Sequence, residues 1–425
     1  MVEKINVLIF PCGKENALEL YQSLRYNVNV KVFGASSVTD HGVLAYENYI
    51  GGVPFISSPD FIPAFNKVIT DNSIDVLIPT HDTVSLFFAE HRQEFACRVL
   101  CPSVRDALIC REKRRTYELF QDTDFVPRTF ESEAVHSFPV FVKPNRGEGS
   151  KNSALCTTRN ELDAHLNAGA DLLVCEYLPG EELTVDCFTN FRQELLFVGP
   201  RLRNRVQMGI SFNTSSVPLT DEIRGIAAVV NSRLSFSGLW YFQLKRDTSG
   251  KYKLLEVSCR ASGTMALYRV AGVNFGLLSV YNALGREVAI LKNDFEVTLD
   301  RCLKNRYVLG LQFETVYIDY DDTLVLDDRV NDVAVQFLYQ MVNKRKRLVL
   351  ITRHHGDLIR HMELHKIAPN LFDEIHHISE DQRKSDFIKE PNAIFIDNAY
   401  SERESVLLRS GVPVFDVDAI ESLLS

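Results

Sequence analysis

Asp319 and Asp321 stand two residues apart at the end of the apolar run Val316-Tyr317-Ile318, and Thr323 follows them. Two carboxylates at that spacing, just past a buried strand, splay from one strand end into one pocket. Such a pair suits a nucleophile, a proton-transfer partner and an oxygen cage for Mg²⁺, which is what phosphoryl chemistry needs. The plain alternative is a strand-terminal turn. Thr352 closes a second apolar run, RLVLIT. Lys384 lies in EDQRKSDFI, and Asp397 ends a third run, AIFID, with Asn398 and Glu402 beyond.

A different chemistry is written earlier. In FVKPNRGEGSKN (141–152), Lys143 sits at a strand end before a glycine-rich turn containing Gly147, Gly149 and Ser150. Gly147 and Gly149 let backbone amides approach phosphates, and Lys143 supplies charge. By itself the stretch equally describes an ordinary hairpin. Its context is Lys113 in REKRRTYELF, then Cys175-Glu176-Tyr177-Leu178, then Glu182. Gln243 and Glu256 lie on two strands joined by the polar turn DTSGK (247–251). They can face one another and hold Mg²⁺ through oxygen. Arg201, Arg203 and Arg205 in GPRLRNRV either meet an anionic substrate or line a solvated strand face.

The elements that position these residues follow from pattern. INVLIF (5–10), VNVKVFG (28–34) and DVLIPT (75–80) are short apolar strands, with an amphipathic helix starting at ALELYQSL. That rhythm implies a parallel sheet with crossover helices. Gly13 alone in the first turn makes no dinucleotide fingerprint, so NAD is not expected. PTHD places His81 and Asp82 at a strand end, either as a substrate edge or as a helix cap. From 103 to 305 the strands lengthen and hairpin signals appear. Beyond 305 a compact αβ module begins. Its first helix carries Val330, Val333, Phe337, Leu338 and Met341 at helical spacing. The expected fold class is α/β and α+β, in three domains: 1–102, 103–305 and 306–425.

The middle series closely resembles the ATP-grasp superfamily, in particular its carbamoyl-phosphate-synthase large-subunit-like branch, over about residues 1 to 305. The resemblance implies a Rossmann-like parallel sheet at 1–102, leading an ATP-grasp domain at 103–305. It implies ATP and Mg²⁺ (or Mn²⁺) as cofactors, with Lys113 and Lys143 on the ATP phosphates and RGEGS as the covering loop. Cys175 to Leu178 would be the adenine hinge and Glu182 the ribose contact. Gln243 and Glu256 would ligate Mg²⁺, and Arg260 would steady the transferred phosphate. The family pattern Glu-x-Asn-x-Arg reads Glu256-Val257-Ser258-Cys259-Arg260 here. Ser258 is a shorter, weaker oxygen ligand than asparagine. The activity implied is acyl-phosphate formation followed by attack of an amine, on small carboxylate and amine substrates, in a chain for which a homodimer is among the expected assemblies.

The C-terminal motifs resemble the haloacid-dehalogenase-like (HAD) phosphatases over about 310 to 425. The resemblance implies a Rossmann-like domain with Asp319 as nucleophile and Asp321 as acid and base. Thr352 and Lys384 would bind the phosphoryl oxygens. Mg²⁺ would sit on Asp319, Asp397 and the Asp321 carbonyl. Asn398 replaces a frequent second acid, for which Glu402 would compensate. The residues between Thr323 and Thr352 leave no room for a cap, so this is expected to be a capless site needing a large substrate or a neighbouring domain as lid. The whole-chain expectation is a ligase fused to a phosphohydrolase. A ligase with a non-catalytic HAD scaffold, and a degenerate nucleotide-binding sensor, are the alternatives.

Composition narrows the classes. The 425 residues are 45% hydrophobic and 24% charged, with a net charge of -9. An acidic chain is a poor nonspecific nucleic-acid binder. The apolar runs are strand-length, so no membrane span is expected, and no secretion signal is read at the N-terminus. Nine scattered cysteines show no zinc spacing and read as reduced thiols of a cytoplasmic protein.

Overall fold

The computed structural model describes residues 4–147, 149, 151–167, 171–302 and 304–424. The chain divides into two compact units, Met1–Cys302 and Leu303–Ser425. Both are mixed α/β.

Unit 1 opens on a five-stranded parallel sheet. Its strands are β1 (Ile5–Phe10), β2 (Val30–Ala35), β3 (Asn48–Ile50), β4 (Val76–Pro79) and β5 (Arg98–Val99), in the order β3-β2-β1-β4-β5. The central strand β1 is apolar but for Asn6 because helices cover both its faces. The Glu15–Leu24 helix buries Ala17, Leu20, Tyr21 and Leu24 on one side. Phe61, Phe65 and Phe88 pack under Phe10 on the other. The helix Asp82–Glu90 leaves the carboxyl end of β4, so PTHD lies at the sheet edge where open α/β sheets bind ligands.

Two antiparallel sheets follow. The smaller has β6 (Thr129–Phe130), β7 (Val140–Pro144), β8 (Ala154–Cys156) and β9 (Leu172–Glu176), in the order β6-β9-β7-β8. The larger has β10 (Glu182–Thr189), β11 (Leu195–Gln207), β12 (Ile210–Ser216), β13 (Gly238–Arg246), β14 (Tyr252–Ser258) and β15 (Thr298–Asp300), in the order β14-β13-β10-β11-β12-β15. Period-2 alternation gives this sheet a core face and a polar face. Leu183, Val185 and Cys187 of β10, with Trp240, Phe242 and Leu244 of β13, pack on the Asp221–Arg233 helix. Their alternates Thr184, Tyr241 and Gln243 face a cavity.

Strict alternation fails on β14. Tyr252 and Leu254 lie in the core, and so do Val257 and Cys259. The parity switches because the pairing with β13 shifts: Leu244 opposes Leu254, whereas Gln243 opposes Glu256. Leu255 is the extra residue of a β-bulge. Without it, Glu256 would share the core face of Leu254.

Unit 2 holds a second parallel sheet. Its strands are β16 (Thr315–Ile318), β19 (Arg347–Thr352), β20 (Glu374–His377), β21 (Ala393–Ile396) and β22 (Val414–Phe415), in the order β20-β19-β16-β21-β22. A small hairpin of β17 (Val325–Leu326) and β18 (Arg329–Val330) follows β16. The Asp332–Asn343 helix, capped by the Asn331 side chain, buries Ala334, Phe337, Leu338 and Met341. Val330 belongs instead to the hairpin, and Val333 is exposed, so the buried stripe is set one step from the expected one. No helix among the described residues is long and apolar enough to cross a membrane. All nine cysteines are free thiols, most of them buried.

Candidate functional site

In unit 1, two adjoining cavities of about 300 and 190 Å³ share Lys113, Gly147, Gly149, Arg203, Gln243 and Glu256 in their walls. The smaller lies between the two antiparallel sheets. Lys143, Glu182 and the Cys175–Leu178 segment line it. Tyr177 and Leu178 follow β9 and lie outside its ladder. The Cys175 side chain is buried, and burial pushes its thiol above the ordinary value. The Glu176 carboxylate receives the Arg128 backbone N–H at 2.9 Å and its Nε at 3.1 Å.

Lys143 is buried at the end of β7. Its Nζ donates to the Tyr117 hydroxyl at 2.5 Å and to the Leu255 carbonyl at 3.3 Å. Tyr117 donates to the same carbonyl at 2.9 Å. The bulge therefore frees a carbonyl, which the cavity-lining Lys143 and the buried Tyr117 behind it both occupy. Burial, and then the charge of Lys113, lower the Lys143 pKa. Lys113 begins the Lys113–Leu119 helix and donates to the Gly147 carbonyl at 3.2 Å, with Glu256 at 3.9 Å. Gly149 has φ +65° and lies against the turn between β11 and β12, where an added Cβ would come within 3.1 Å of the Met208 carbonyl. Ser150 lies outside the described residues. Glu182 is bracketed by Arg203 at 3.1 Å and Lys245 at 3.4 Å.

Gln243 and Glu256 are cross-strand partners on the polar face. An amide and a carboxylate beside two lysines suit a hard cation that bridges to an anion, so these residues fit Mg²⁺. Ser258 is on the same face but donates its hydroxyl to Asp82 at 2.8 Å. Arg260 pairs with Asp82 through Nε and Nη2, both at 3.0 Å. The expectation of Ser258 as a metal ligand thus meets a different partner: its proton is committed to the carboxylate that opens the Asp82–Glu90 helix. Burial alone would raise Asp82. The Arg260 charge and the Ser258 hydrogen bond outweigh it and hold the carboxyl below its ordinary range.

The larger cavity is walled by Thr80, His81 and Asp82 on one side and by Ser262 to Thr264 on another. His81 is also the helix cap, accepting the Thr83 N–H at 3.2 Å, so capping falls to the histidine and not to Asp82. The three arginines of β11 divide. Arg201 is 1% exposed and is held by Asp186 at 2.7 Å, Thr264 at 2.5 Å and Ser262 at 2.9 Å. It docks the 262–264 segment onto the sheet. Arg203 lines both cavities, while Arg205 is outside them and pairs with Asp300 at 2.7 Å. Arg301, missed in the sequence, lines the larger cavity and leaves a buried Nη1 without a hydrogen-bond partner. Burial lowers its pKa. It stands beyond every motif, so only the topology brings it in.

In unit 2, Asp319, Thr352 and Asp397 lie at the carboxyl ends of the adjacent parallel strands β16, β19 and β21. Lys384 is buried between two carboxylates, 2.8 Å from Asp319 and 2.6 Å from Asp397. Burial and the Asp397 charge raise Asp319 to about 6, and burial raises Asp397. Asp319 Oδ1 is the oxygen that faces the Lys384 ammonium. One lysine for two buried carboxylates leaves negative charge in excess, a donor set that fits a hard divalent cation. Asp321 is half-exposed and takes the Thr352 hydroxyl at 3.5 Å and His354 Nδ1 at 2.9 and 3.1 Å. His354 was not foreseen, although it stands two residues past Thr352. Glu402, the expected substitute metal ligand, pairs with Arg353 at 2.7 Å. Asn398 instead holds the Thr323 hydroxyl through its backbone N–H at 3.2 Å.

The Asp82 pair makes a prediction. Asp82→Asn leaves Arg260 without its carboxylate and is expected to cost about 3 kcal/mol at pH 7 in urea unfolding. A depressed folded pKa contributes stability that is complete above the ordinary value of 3.8 and fades as pH falls through the folded one. The gap between the two proteins should therefore close only below about pH 4. A gap that stays constant to lower pH would contradict the pairing.

No curated protein matches the chain in sequence. A family model described as "ATP-grasp in the biosynthetic pathway with Ter operon" matches residues 169–301. Among solved structures, biotin carboxylase of Campylobacter jejuni in complex with βγ-ATP aligns with TM-score 0.58 and 16% identity, over 70% of this chain and 75% of the other. N5-carboxyaminoimidazole synthetase of Staphylococcus aureus gives 0.57 and 13%, over 69% and 81%. L-amino acid ligase of Bacillus licheniformis gives 0.53 and 19%, over 67% and 75%. Identities this low speak for fold, and with the family match they give the conclusion that the chain contains an ATP-grasp domain.

Proposed function

We propose that unit 1 is an ATP-dependent carboxylate–amine ligase, or a related enzyme that works through an acyl-phosphate, with the leading sheet at 1–102 and the ATP-grasp domain at 103–305. The observation that carries this is the pair of adjoining cavities sharing Lys113, Gln243 and Glu256. One is walled by a hinge segment and two lysines, as a nucleotide requires. The other is a polar pocket for a second reactant. The similar structures include an ATP complex, an ADP complex and one ligase by name, which supports the reading.

In this reading the adenine edge meets the backbone at 175–178, and Glu182 receives the ribose hydroxyls. Lys113 and Lys143 hold the phosphates, with Gly147 and Gly149 approaching from the loop. Gln243 and Glu256 hold Mg²⁺, which when bound neutralises phosphate charge. A substrate carboxylate in the larger cavity attacks the γ-phosphorus and ADP departs, leaving an acyl-phosphate. An amine then attacks the acyl carbon and phosphate leaves. Arg260 and Arg203 stabilise the charge at that junction. Arg301 binds an anionic end of the substrate with its buried Nη1. Ser258, committed to Asp82, favours a second reading: a sensor that binds nucleotide without turnover.

Unit 2 is proposed as a Mg²⁺-dependent phosphohydrolase of HAD type, over 306–425. Asp319 attacks the phosphorus and carries the phosphoryl group. Asp321, aligned by His354, protonates the leaving oxygen and then takes the proton of the attacking water. Thr352 and Lys384 hold phosphoryl oxygens. Asp319, Asp397 and the Asp321 carbonyl are the residues that would hold Mg²⁺.

Two experiments test this. ADP release across a panel of carboxylates, with hydroxylamine as trap, is expected to yield hydroxamate with at least one acid, and Lys143→Met should lower the rate about 100-fold or more. ATP binding without ADP release over the whole panel would favour the sensor. In the full chain, Asp319→Asn is expected to lower hydrolysis of p-nitrophenyl phosphate more than about a thousandfold while leaving ADP release unchanged. Undiminished hydrolysis would remove Asp319 as nucleophile.

A further inference from the structure

The hairpin of β17 and β18 turns through Asp327 and Asp328, both with left-handed backbone, at φ 47° and 59°. This two-residue turn is the tight type that follows strand twist, and aspartate tolerates it. It sets the Asp328 carboxylate over the end of the Leu358–Leu364 helix. There His361 and the capping His365 are spaced four apart and share a helix face. Their rings lie 4.4 Å apart. One ligating atom from each of Asp328, His361 and His365 falls within 4.8 Å of the others.

The hydrogen bonds around this trio leave a conflict. His365 Nδ1 lies 3.0 Å from the His361 carbonyl, which can only accept, so that nitrogen carries a proton. In a neutral ring, Nε2 is then a lone pair. It faces two acceptors, the Asp328 carboxylate at 3.1 Å and the Asp328 carbonyl at 3.4 Å. Lone pairs do not pack against oxygens at that distance without a positive charge between or upon them. A proton shared with the Asp328 carboxylate or a bound cation would supply one. Only a bound cation also engages the second imidazole, whose ring lies 4.4 Å away.

The outer contacts are those that metal-binding histidines use. The His361 carbonyl fixes the His365 tautomer, and the Tyr320 hydroxyl lies 3.0 Å from His361 Nδ1. Two imidazoles and one carboxylate suit a borderline divalent cation, whereas Mg²⁺ and Ca²⁺ prefer oxygen alone. We propose that Asp328, His361 and His365 form a binding site for such a cation, Zn²⁺ above all, clasping the hairpin to the helix with an open position left for water. The site is separate from the Asp319 and Asp397 carboxylates, and the inference does not rest on the phosphohydrolase reading.

The test uses tag-free, metal-stripped full-length protein titrated with Co²⁺ as a visible probe and with Zn²⁺ by calorimetry. The expected result is one Co²⁺ site with visible d–d bands and no thiolate charge-transfer band, displaced by Zn²⁺ and not by excess Mg²⁺. His365→Ala should weaken Zn²⁺ at least about 100-fold, more than loss of an outer-shell partner does. Asp328→Asn sits on an exposed turn and keeps an oxygen for His365, so it should fold as the parent does while weakening Zn²⁺ at least about tenfold. Equal Zn²⁺ affinity in parent and Asp328→Asn, or Co²⁺ bands that survive His365→Ala, would overturn the proposal.

Discussion

One extra residue on β14 fixes the geometry of unit 1. The bulge at Leu255 lets Leu254 stay in the core while Glu256 turns to the cavity opposite Gln243. It also releases the Leu255 carbonyl from the ladder, where Tyr117 and Lys143 take it. A buried ammonium needs acceptors, and a buried carbonyl needs donors. The bulge satisfies both, and in doing so joins the lysine of the small sheet to the carboxylate of the large one. Lys143, Glu256 and Gln243 come from three strands, yet one local irregularity brings them to one cavity.

The second reactant's cavity depends on ion pairs of the same kind. Asp82 at the edge of the first sheet locks Ser258 and Arg260, so the parallel sheet and the large antiparallel sheet share a wall. Arg201, buried with Asp186, pins the 262–264 segment at the opposite side. Breaking either pair would strand a charge at a cavity wall, which costs more than an exposed pair is worth. Nη1 of Arg301, like Nε of Arg203 in the same cavity wall, is buried without a hydrogen-bond partner.

Much of this arrangement was legible in the chain. Lys143 before Gly147 and Gly149, and Gln243 and Glu256 flanking a polar turn, could be placed at a strand end and on facing strands because each pattern is local, and all of them line the two adjoining cavities. Asp319, Asp321, Thr352 and Asp397 could be placed in the same way, each at the end of an apolar run. The parallel sheets followed from the alternation of apolar runs with helical patterns. What could not be read depends on contacts across the fold. In Lys253-Leu254-Leu255-Glu256-Val257, plain alternation puts Leu254 and Glu256 together, and nothing local announces the bulge. Arg201, Arg203 and Arg205 look alike in sequence but differ because their strand runs from beneath a packed segment out to solvent. Ser258 read as a weakened ligand, since Asp82, its partner, lies 176 residues away. His354 carried no signal beyond its place after Thr352.

The central claim is that the bulge assembles Tyr117, Lys143 and Glu256 into a Mg²⁺-nucleotide site. Calorimetric titration of ATP into the full-length protein, with and without Mg²⁺, tests it most directly on the parent and on Tyr117→Phe. That variant removes one hydroxyl from the Lys143–Leu255 junction and touches nothing else in the cavity wall. Binding is expected to require Mg²⁺ in the parent and to weaken about tenfold in the variant, the worth of one charge-assisted hydrogen bond. ATP affinity that is indifferent to Mg²⁺ and unchanged by Tyr117→Phe would contradict the account.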